Sequence, residues 1–229
     1  MIICIIPARS GSKRIKNKNI KKFISEPMIS ITLKKLKKSK IFKKIVVTSD
    51  SNKILKIAKT HGADILIKRS KYLSDDNTAT IPVIVDAIKK LENNIIFDSV
   101  CCVYPCNPFL NLEDLKKAIN VLSKSNKYFI FPISKYSHPI QRALKINKNK
   151  EVNFSKKNFS NSRTQDLKEF FFDAGQFYLA KKKTWISKYK KYKGIIIPSW
   201  RCHDIDTTED WLRAEILYKA YFKKNNSRI

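Results

Sequence analysis

The chain has 229 residues, 43% of them hydrophobic, and a formal net charge of +29. That length suits one α/β domain with a sizeable core, and no apolar run approaches the roughly 20 residues needed to cross a bilayer. The short apolar N-terminus has no basic region before it, unlike a signal peptide, so a cytoplasmic location without membrane association is expected.

The first predicted strand, Ile2 to Ala8, runs into Arg9-Ser10-Gly11-Ser12-Lys13-Arg14-Ile15-Lys16-Asn17-Lys18-Asn19-Ile20. A buried strand that empties into a Gly/Ser loop carrying Arg and Lys offers amide N–H groups and cations to phosphate. No Gly-Lys-Ser/Thr follows Gly11, so this is not a Walker A sequence. Arg9, Lys13, Arg14 and Lys18 are the candidate phosphate ligands. Each close charge pair is worth on the order of 4 kcal/mol at an effective dielectric of about 20. The competing reading is an ordinary basic surface loop.

Pro27 opens a predicted helix whose apolar residues Ile29, Leu33 and Leu36 recur at helical spacing. Lys34, Lys35, Lys37, Lys38, Lys40, Lys43 and Lys44 interleave with Leu33, Leu36, Ile41 and Ile45, as on a solvated helix face. Lysine is also spread evenly along the chain, whereas a dedicated nucleic-acid surface favours Arg and interleaved aromatics. Nucleic-acid binding therefore stands only as the alternative from another functional class.

Ile45 to Thr48 reads as a buried strand. Thr48-Ser49-Asp50 ends it near the expected site, where helix capping and nucleotide contact explain the tract equally well. Ser51 caps a helix through Ile54, Leu55 and Ala58, and Gly62 supplies a left-handed stop. Ile65 to Ile67 is a strand, Lys68 to Thr80 a polar loop, and Ile81, Ile84, Val85, Ile88 and Leu91 line one face of a helix. Ser99 to Tyr104 is a strand closed by Pro105 and Pro108. Asn111 caps a helix with Leu112, Leu115, Ile119 and Leu122 inward, and Tyr128 to Ile133 forms another strand.

Strands alternating with helices predict a mostly parallel sheet with helices on both faces. Ligands of such sheets sit beyond the carboxyl ends of the strands, where the basic turn, the 68–80 loop and the 105–110 loop all fall. Residues 134–170 break the rhythm and read as a polar excursion, a hairpin used in self-association. The alternation resumes at Gln176 to Ala180.

In Cys202-His203-Asp204-Ile205-Asp206-Thr207-Thr208-Glu209-Asp210-Trp211, two aspartates separated by one apolar residue project to one side of extended chain. That suits a hard divalent cation with oxygen ligands. Asp206 and Glu209 equally have capping-box spacing ahead of a helix with Trp211, Ala214, Leu217 and Tyr218; the basic turn elsewhere tips the reading towards metal. His203 beside Asp204 is a candidate to orient that carboxylate. The five cysteines have no zinc-ribbon spacing and read as reduced structural thiols.

Residues 3–20 resemble the opening motif of the CMP-sialic acid synthetase (acylneuraminate cytidylyltransferase) family, and Asp204-Ile205-Asp206-Thr207 resembles its metal-binding aspartate pair. The similarity covers nearly the whole chain. Leu73-Ser74-Asp75-Asp76, Thr80 to Ile84, Pro139 to Leu144, Ser162 to Leu167 and Asp173 to Tyr178 resemble the branch of that family acting on pseudaminic acid. The resemblance implies one domain over 1–229 with a three-layer αβα, Rossmann-like nucleotide-diphosphosugar transferase fold. Residues 134–170 would serve dimerisation and cover the substrate. It also implies CTP-dependent activation of a nine-carbon nonulosonic acid, with Mg²⁺, a homodimer and no nucleic acid.

By that resemblance Arg9, Ser12, Lys13, Lys18 and Asn19 hold the CTP phosphates, with Gly11 and Arg14 in the same turn. Arg69, Ser74 and Thr78 meet cytosine and ribose, and Asp204 and Asp206 bind Mg²⁺. Arg9, Lys13, Lys18 and the two aspartates form the implied catalytic set. Sialic-acid-specific members carry Gln-Pro-Thr-Ser-Pro where Tyr104 to Pro108 stands here, and Asn-Gly-Ala at Asp173 to Gln176. Those positions resemble sugar-contacting ones, which makes Tyr104, Asp173 and Gln176 sugar candidates and disfavours N-acetylneuraminate. Residue 10 is Ser where many members have Gly. An arginine matches the carboxylate of such a sugar two-pronged, so Arg163 and then Arg142 are candidates, each also readable as solvent-facing. Gln141, Gln165 and Gln176 are candidates for acylamino or hydroxyl groups.

Overall fold

A computed structural model describes residues 1–226. In chain order, β1 (Ile2–Pro7) leads through the cationic turn and a short ladder of β2 (Lys22–Phe23) with β3 (Glu26–Pro27) into α1 (Met28–Ser39). There follow β4 (Ile45–Ser49), α2 (Asn52–Thr60), β5 (Ile65–Lys68), α3 (Thr80–Leu91), β6 (Ser99–Val103), α4 (Leu112–Lys124) and β7 (Tyr128–Lys135). A separate hairpin joins β8 (Leu144–Ile146) to β9 (Val152–Phe154). The remaining elements are β10 (Phe171–Asp173), β11 (Phe177–Lys181), α5 (Lys182–Ile186), β12 (Lys191–Ile196) and α6 (Thr208–Asn226).

The large sheet is mostly parallel, as its βα alternation requires. β5, β4, β1 and β6 lie side by side in one direction, β11 runs antiparallel beside β6, and β12 runs parallel to β7. Successive side chains of β1 point to opposite faces, and this divides the core. Cys4 and Ile6 pack with Leu33 and Leu36 of α1, Ile54 of α2 and Leu115 of α4. Ile3 and Ile5 pack with Ile84 and Ile88 of α3 and Trp185 of α5. Helices therefore cover both faces, giving three αβα layers.

The local signals act as their chemistry dictates. The Ser51 side chain accepts from the Ile54 N–H, and Asn111 accepts from the Glu113 N–H, each supplying an acceptor to an otherwise orphaned first-turn donor. Gly62 adopts φ +106, a conformation that a Cβ disfavours. At the start of α6 the expected cap shifts by one residue. The Asp210 N–H donates to Thr207 Oγ1, and the Thr207 N–H donates to Asp210 Oδ2 at 2.8 Å. Thr207 and Asp210 form the reciprocal box, not Asp206 and Glu209, and Asp206 keeps its carboxylate for the cleft.

A third, smaller core determines where the site forms. Ile15 of the turn, Phe23, Met28, Phe109, Ile205, Trp211 and Ala214 are all buried together. Phe23 meets Trp211 and Tyr218 edge-on, with ring centroids 5.4 and 5.3 Å apart. This cluster clamps the turn after β1 against the segment before α6, which are far apart in sequence.

Several elements have no signal in the sequence pattern. β12 is exposed along most of its length and carries Lys191 and Lys193, so it lacks a clean apolar alternation; pairing with β7 makes it a strand. β10 and β11 both pair with β7, at Asp173↔Ile133 and Leu179↔Ile130. Six residue steps on one side answer three on the other, and Gly175, at φ +60, turns the chain within this bulge. The 134–170 region does contain a hairpin, outside the large sheet.

Candidate active site

A cleft of about 660 Å³ opens beyond the carboxyl ends of β1, β5 and β6. One wall is the turn after β1, which contributes Arg9, Ser12, Lys13, Arg14, Lys18 and Asn19. Opposite it stand His203, Asp204, Ile205 and Asp206. Arg69, Asp76, Thr78 and Thr80 close a third side, with Tyr104, Pro105, Cys106 and Gly175 beneath.

Contacts across the cleft are direct. The Lys18 ammonium donates to the Ile205 carbonyl at 2.7 Å and to Asp206 Oδ1 at 3.0 Å. Arg14 Nη2 donates to Asp206 Oδ2 at 2.5 Å. Arg9 Nη1 donates to Asp76 Oδ1 at 2.6 Å and to the Asp75 carbonyl at 2.9 Å, and Lys13 pairs with the other oxygen of Asp76. The four cations thus gather around two carboxylates, two to each.

In the sequence Asp76 stands out only as part of the Leu73-Ser74-Asp75-Asp76 tract, with no role of its own. An acid in a polar loop carries no signal that it will meet Arg9, 67 positions away. Its carboxyl is held below the ordinary range by the hydrogen bonds from Lys13 and then Arg9. Asp204 is shifted the other way: loss of water in the cleft, then the charge of Asp206, pushes its carboxyl up. Two aspartates that repel one another on a shared wall suit a divalent cation.

The remaining nucleotide candidates divide by contact. Asn19 is buried, and its amide donates to the Arg9 carbonyl at 2.7 Å while Cys106 Sγ donates to its Oδ1. It braces the turn from within. Gly11 is open to solvent, with nothing within 4 Å of where a Cβ would stand. Arg69 is 5% exposed, reaches the Thr48 carbonyl only at 3.4 Å, and has a buried Nε with no hydrogen-bond partner. Thr78 lies on the wall, its N–H donating to Asp75 Oδ1. Ser74 is not on the cleft lining; its hydroxyl donates to the Ser70 carbonyl one turn back.

Among the sugar candidates, Tyr104 faces the cleft and its hydroxyl meets Thr80 Oγ1 at 2.8 Å. Asp173 stands beside the lining residue Gly175, whose N–H it accepts at 2.8 Å, and it also accepts from the Tyr178 hydroxyl. Gln176 and Gln141 are not on the lining. Their amides donate to the Arg201 and Lys168 carbonyls, at 2.6 and 2.8 Å, because each is buried and must satisfy a donor. Arg142, Arg163 and Gln165 are exposed on the excursion and do not line this chain's cleft. His203 does not hold Asp204; its Nε2 hydrogen-bonds the Trp200 carbonyl at 2.8 Å and its ring rests on Phe109.

The segment carrying the aspartates is anchored just upstream. Arg201 Nη1 lies 2.6 Å from Asp114 Oδ2 of α4, both side chains nearly excluded from water. Among the described residues no three His, Cys, Asp or Glu side chains form a metal-ligating group, and no helix is long and apolar enough to cross a membrane.

Comparison with known proteins gives a consistent result. The family model described as cytidylyltransferase matches residues 3–220. The chain is 38% identical over 223 residues to a pseudaminic acid cytidylyltransferase of Campylobacter jejuni, covering 95% of this chain and 96% of that one. It is 26% identical to an N-acylneuraminate cytidylyltransferase of Escherichia coli, covering all of this chain and 54% of the other. In fold it is similar to a solved CMP:2-keto-3-deoxy-manno-octonic acid synthetase complexed with CTP, with a TM-score of 0.71, 13% identity, and coverage of 96% of this chain and 99% of that one. The Rossmann-like αβα architecture, and a sequence match from the first strand into the last helix, establish that the chain belongs to the cytidylyltransferase family.

Proposed function

We propose that this chain activates a nonulosonic acid, pseudaminic acid foremost, by transferring the cytidylyl group of CTP to its anomeric hydroxyl. The hydroxyl oxygen forms a bond to the α-phosphorus, the bond from that phosphorus to the β-phosphate oxygen breaks, and pyrophosphate leaves. The observation that carries this reading is the meeting of four cations with Asp206 and Asp76 across one cleft. The substrate class follows from the 38% identity to the Campylobacter jejuni enzyme.

No protein nucleophile is required, because phosphoryl transfer is mostly positioning and charge neutralisation. Arg9, Lys13, Arg14 and Lys18, released from their carboxylates, bind the triphosphate and neutralise charge on the leaving pyrophosphate. Asp204 and Asp206 offer only oxygen donors on one wall, a set that fits Mg²⁺ and would hold it. When bound there, Mg²⁺ supplies charge neutralisation at the α-phosphate and lowers the pKa of the attacking hydroxyl. One of the aspartates accepts the hydroxyl proton. Arg69, with its unpartnered Nε, and Thr78 form the nucleoside side of the cleft.

The excursion serves self-association in this reading. Leu144 lies opposite Phe154 and Ile146 opposite Val152, so all four side chains share one face of the hairpin. All four are exposed, between 39% and 69%. Covering that face in a homodimer removes it from water, and the exposed Arg142, Arg163 and Gln165 are then the candidates for the sugar acid. In this reading the reaction runs in the cytoplasm, which a nucleoside triphosphate substrate supports.

The test is pyrophosphate release with each nucleoside triphosphate against a panel of nonulosonic acids, with Mg²⁺ and with a chelator. Release requiring CTP, a nonulosonic acid and the metal supports the reading. Retention of RNA or DNA without any CTP chemistry contradicts it.

A further inference from the structure

The tract Thr48-Ser49-Asp50 closes β4 between β1 and β5, the strands that lead to the cationic turn and to Arg69 on two sides of the cleft. Its acid does not cap α2, since Ser51 does that. The Asp50 carboxylate turns towards the first strand instead. The Ser10 N–H donates to Oδ1 at 2.8 Å and the Ser10 hydroxyl donates to Oδ2 at 2.5 Å. Both oxygens therefore grip the residue next to Arg9.

On its other flank stands β5, whose end carries Arg69. The Arg69 N–H donates to the Ser49 carbonyl at 2.9 Å, and Lys68 Nζ donates to the Asp50 carbonyl at 2.7 Å. The Arg69 side chain is buried and its long contacts satisfy it poorly. Burial disfavours its charge and Asp50 is the foremost influence restoring it. For Asp50, burial pushes the carboxyl up, but Ser10 and then Arg69 outweigh it and hold the group below the ordinary range.

We propose that Asp50 is a positioning residue for the nucleotide, its carboxylate fixing the cationic turn through Ser10 while the end of β4 that carries it holds the backbone of Arg69, on a neighbouring side of the cleft, through the Ser49 carbonyl. This junction, the Asp50 carboxylate on one flank and the Ser49 carbonyl on the other, thereby sets the spacing between the phosphate-binding turn and the nucleoside side of the cleft. The inference rests on the nucleotide reading given above. It makes Ser10 a working member of the turn, because its hydroxyl supplies one of the two bonds that fix the chain there.

The experiment compares Asp50→Asn, Ser10→Ala, Ser10→Thr and Asp50→Asn/Ser10→Ala in steady-state kinetics, varying CTP and sugar acid separately, with thermal melts alongside. Asp50→Asn is expected to raise KM for CTP about tenfold, consistent with loss of a charge-assisted hydrogen bond. KM for the sugar acid should stay within about twofold. Ser10→Ala should raise KM for CTP less, Ser10→Thr should restore it, and the double variant should be no worse than Asp50→Asn alone, since both changes break one linkage. An unchanged KM for CTP overturns the proposal, as does an equal rise for both substrates or additive losses in the double variant. A fall in melting temperature and active fraction without a change in KM also overturns it. Lys18→Met serves as the discriminator. If it raises KM for CTP while Asp50→Asn does not, only the positioning role fails; if neither does, the nucleotide reading fails with it.

Discussion

Lys18 Nζ stands 3.0 Å from Asp206 Oδ1 although the two residues are 188 positions apart in sequence. The small core of Ile15, Phe23, Ile205 and Trp211 brings them together. In the proposed reaction this cation and carboxylate, which neutralise one another in the free cleft, part to serve as a phosphate ligand and a metal ligand. Asp206→Asn is expected to lower turnover about 100-fold or more, a loss typical of removing a transition-state charge stabiliser, with little change in melting temperature. Near-normal turnover would remove the metal assignment.

Asp76 holds Arg9 and Lys13 where the triphosphate is expected to bind, so it competes with the substrate's anionic groups. Asp76→Asn should therefore tighten binding of inorganic pyrophosphate severalfold, read by calorimetry at low salt, where exposed ion pairs weigh most. Weaker or unchanged binding would mean that the pairing organises the loop without screening the site.

The hairpin face makes a prediction about assembly. Leu144→Asp with Val152→Asp places two charges on the exposed apolar face and should convert a dimer to a monomer, measured by sedimentation or light scattering. A wild-type monomer, or a dimer indifferent to these changes, contradicts the assigned role of 134–170. Arg163→Ala should raise KM for the sugar acid by the value of a charge-assisted pair, about 1.5–3 kcal/mol, leaving KM for CTP unchanged.

The thiols predict a response to alkali. Cys4, Cys101 and Cys102 are fully buried, and burial raises their pKa values; Cys106 is pushed up to about 12 by the same cause. Unfolded thiols ionise near about 8.5, so the folded chain holds protons that the unfolded chain has lost above that pH. The stability these groups contribute is intact below about pH 8.5 and declines as pH rises towards their folded values. Lys35, lowered to about 8 by burial, acts in the opposite sense. Four thiols outweigh one lysine, so the melting temperature should fall from pH 8.5 to 10.5. Iodoacetamide should label the native thiols slowly and all five after unfolding; fast native labelling of Cys101 or Cys102 contradicts this.

The framework was legible because its signals are local. Ser51 and Asn111 sit one residue before the helices they cap, and the unbroken apolar run of β1 is visible in six residues. The turn and the acidic couplet were legible for the same reason, each being a compact run of one chemistry. What escaped depends on distant partners. Asp76 has meaning only beside Arg9, Asp50 only beside Ser10, and β12 only beside β7. Gln141 and Gln176 misled because an amide's hydrogen bonds are set by burial, which the sequence around them does not reveal. The capping box of α6 slipped by one residue because Asp206 and Thr207 are both able caps. The cationic turn decides between them by claiming Asp206.

The most direct measurement is a nucleotide titration at fixed pseudaminic acid, following pyrophosphate, for the wild type, Lys18→Met and Asp206→Asn. Rapid release with CTP in the wild type, little with UTP, ATP or GTP, and large losses in both variants are expected. Release at wild-type rates from both variants would contradict a single cleft in which the basic turn and the aspartate pair act on the same nucleotide.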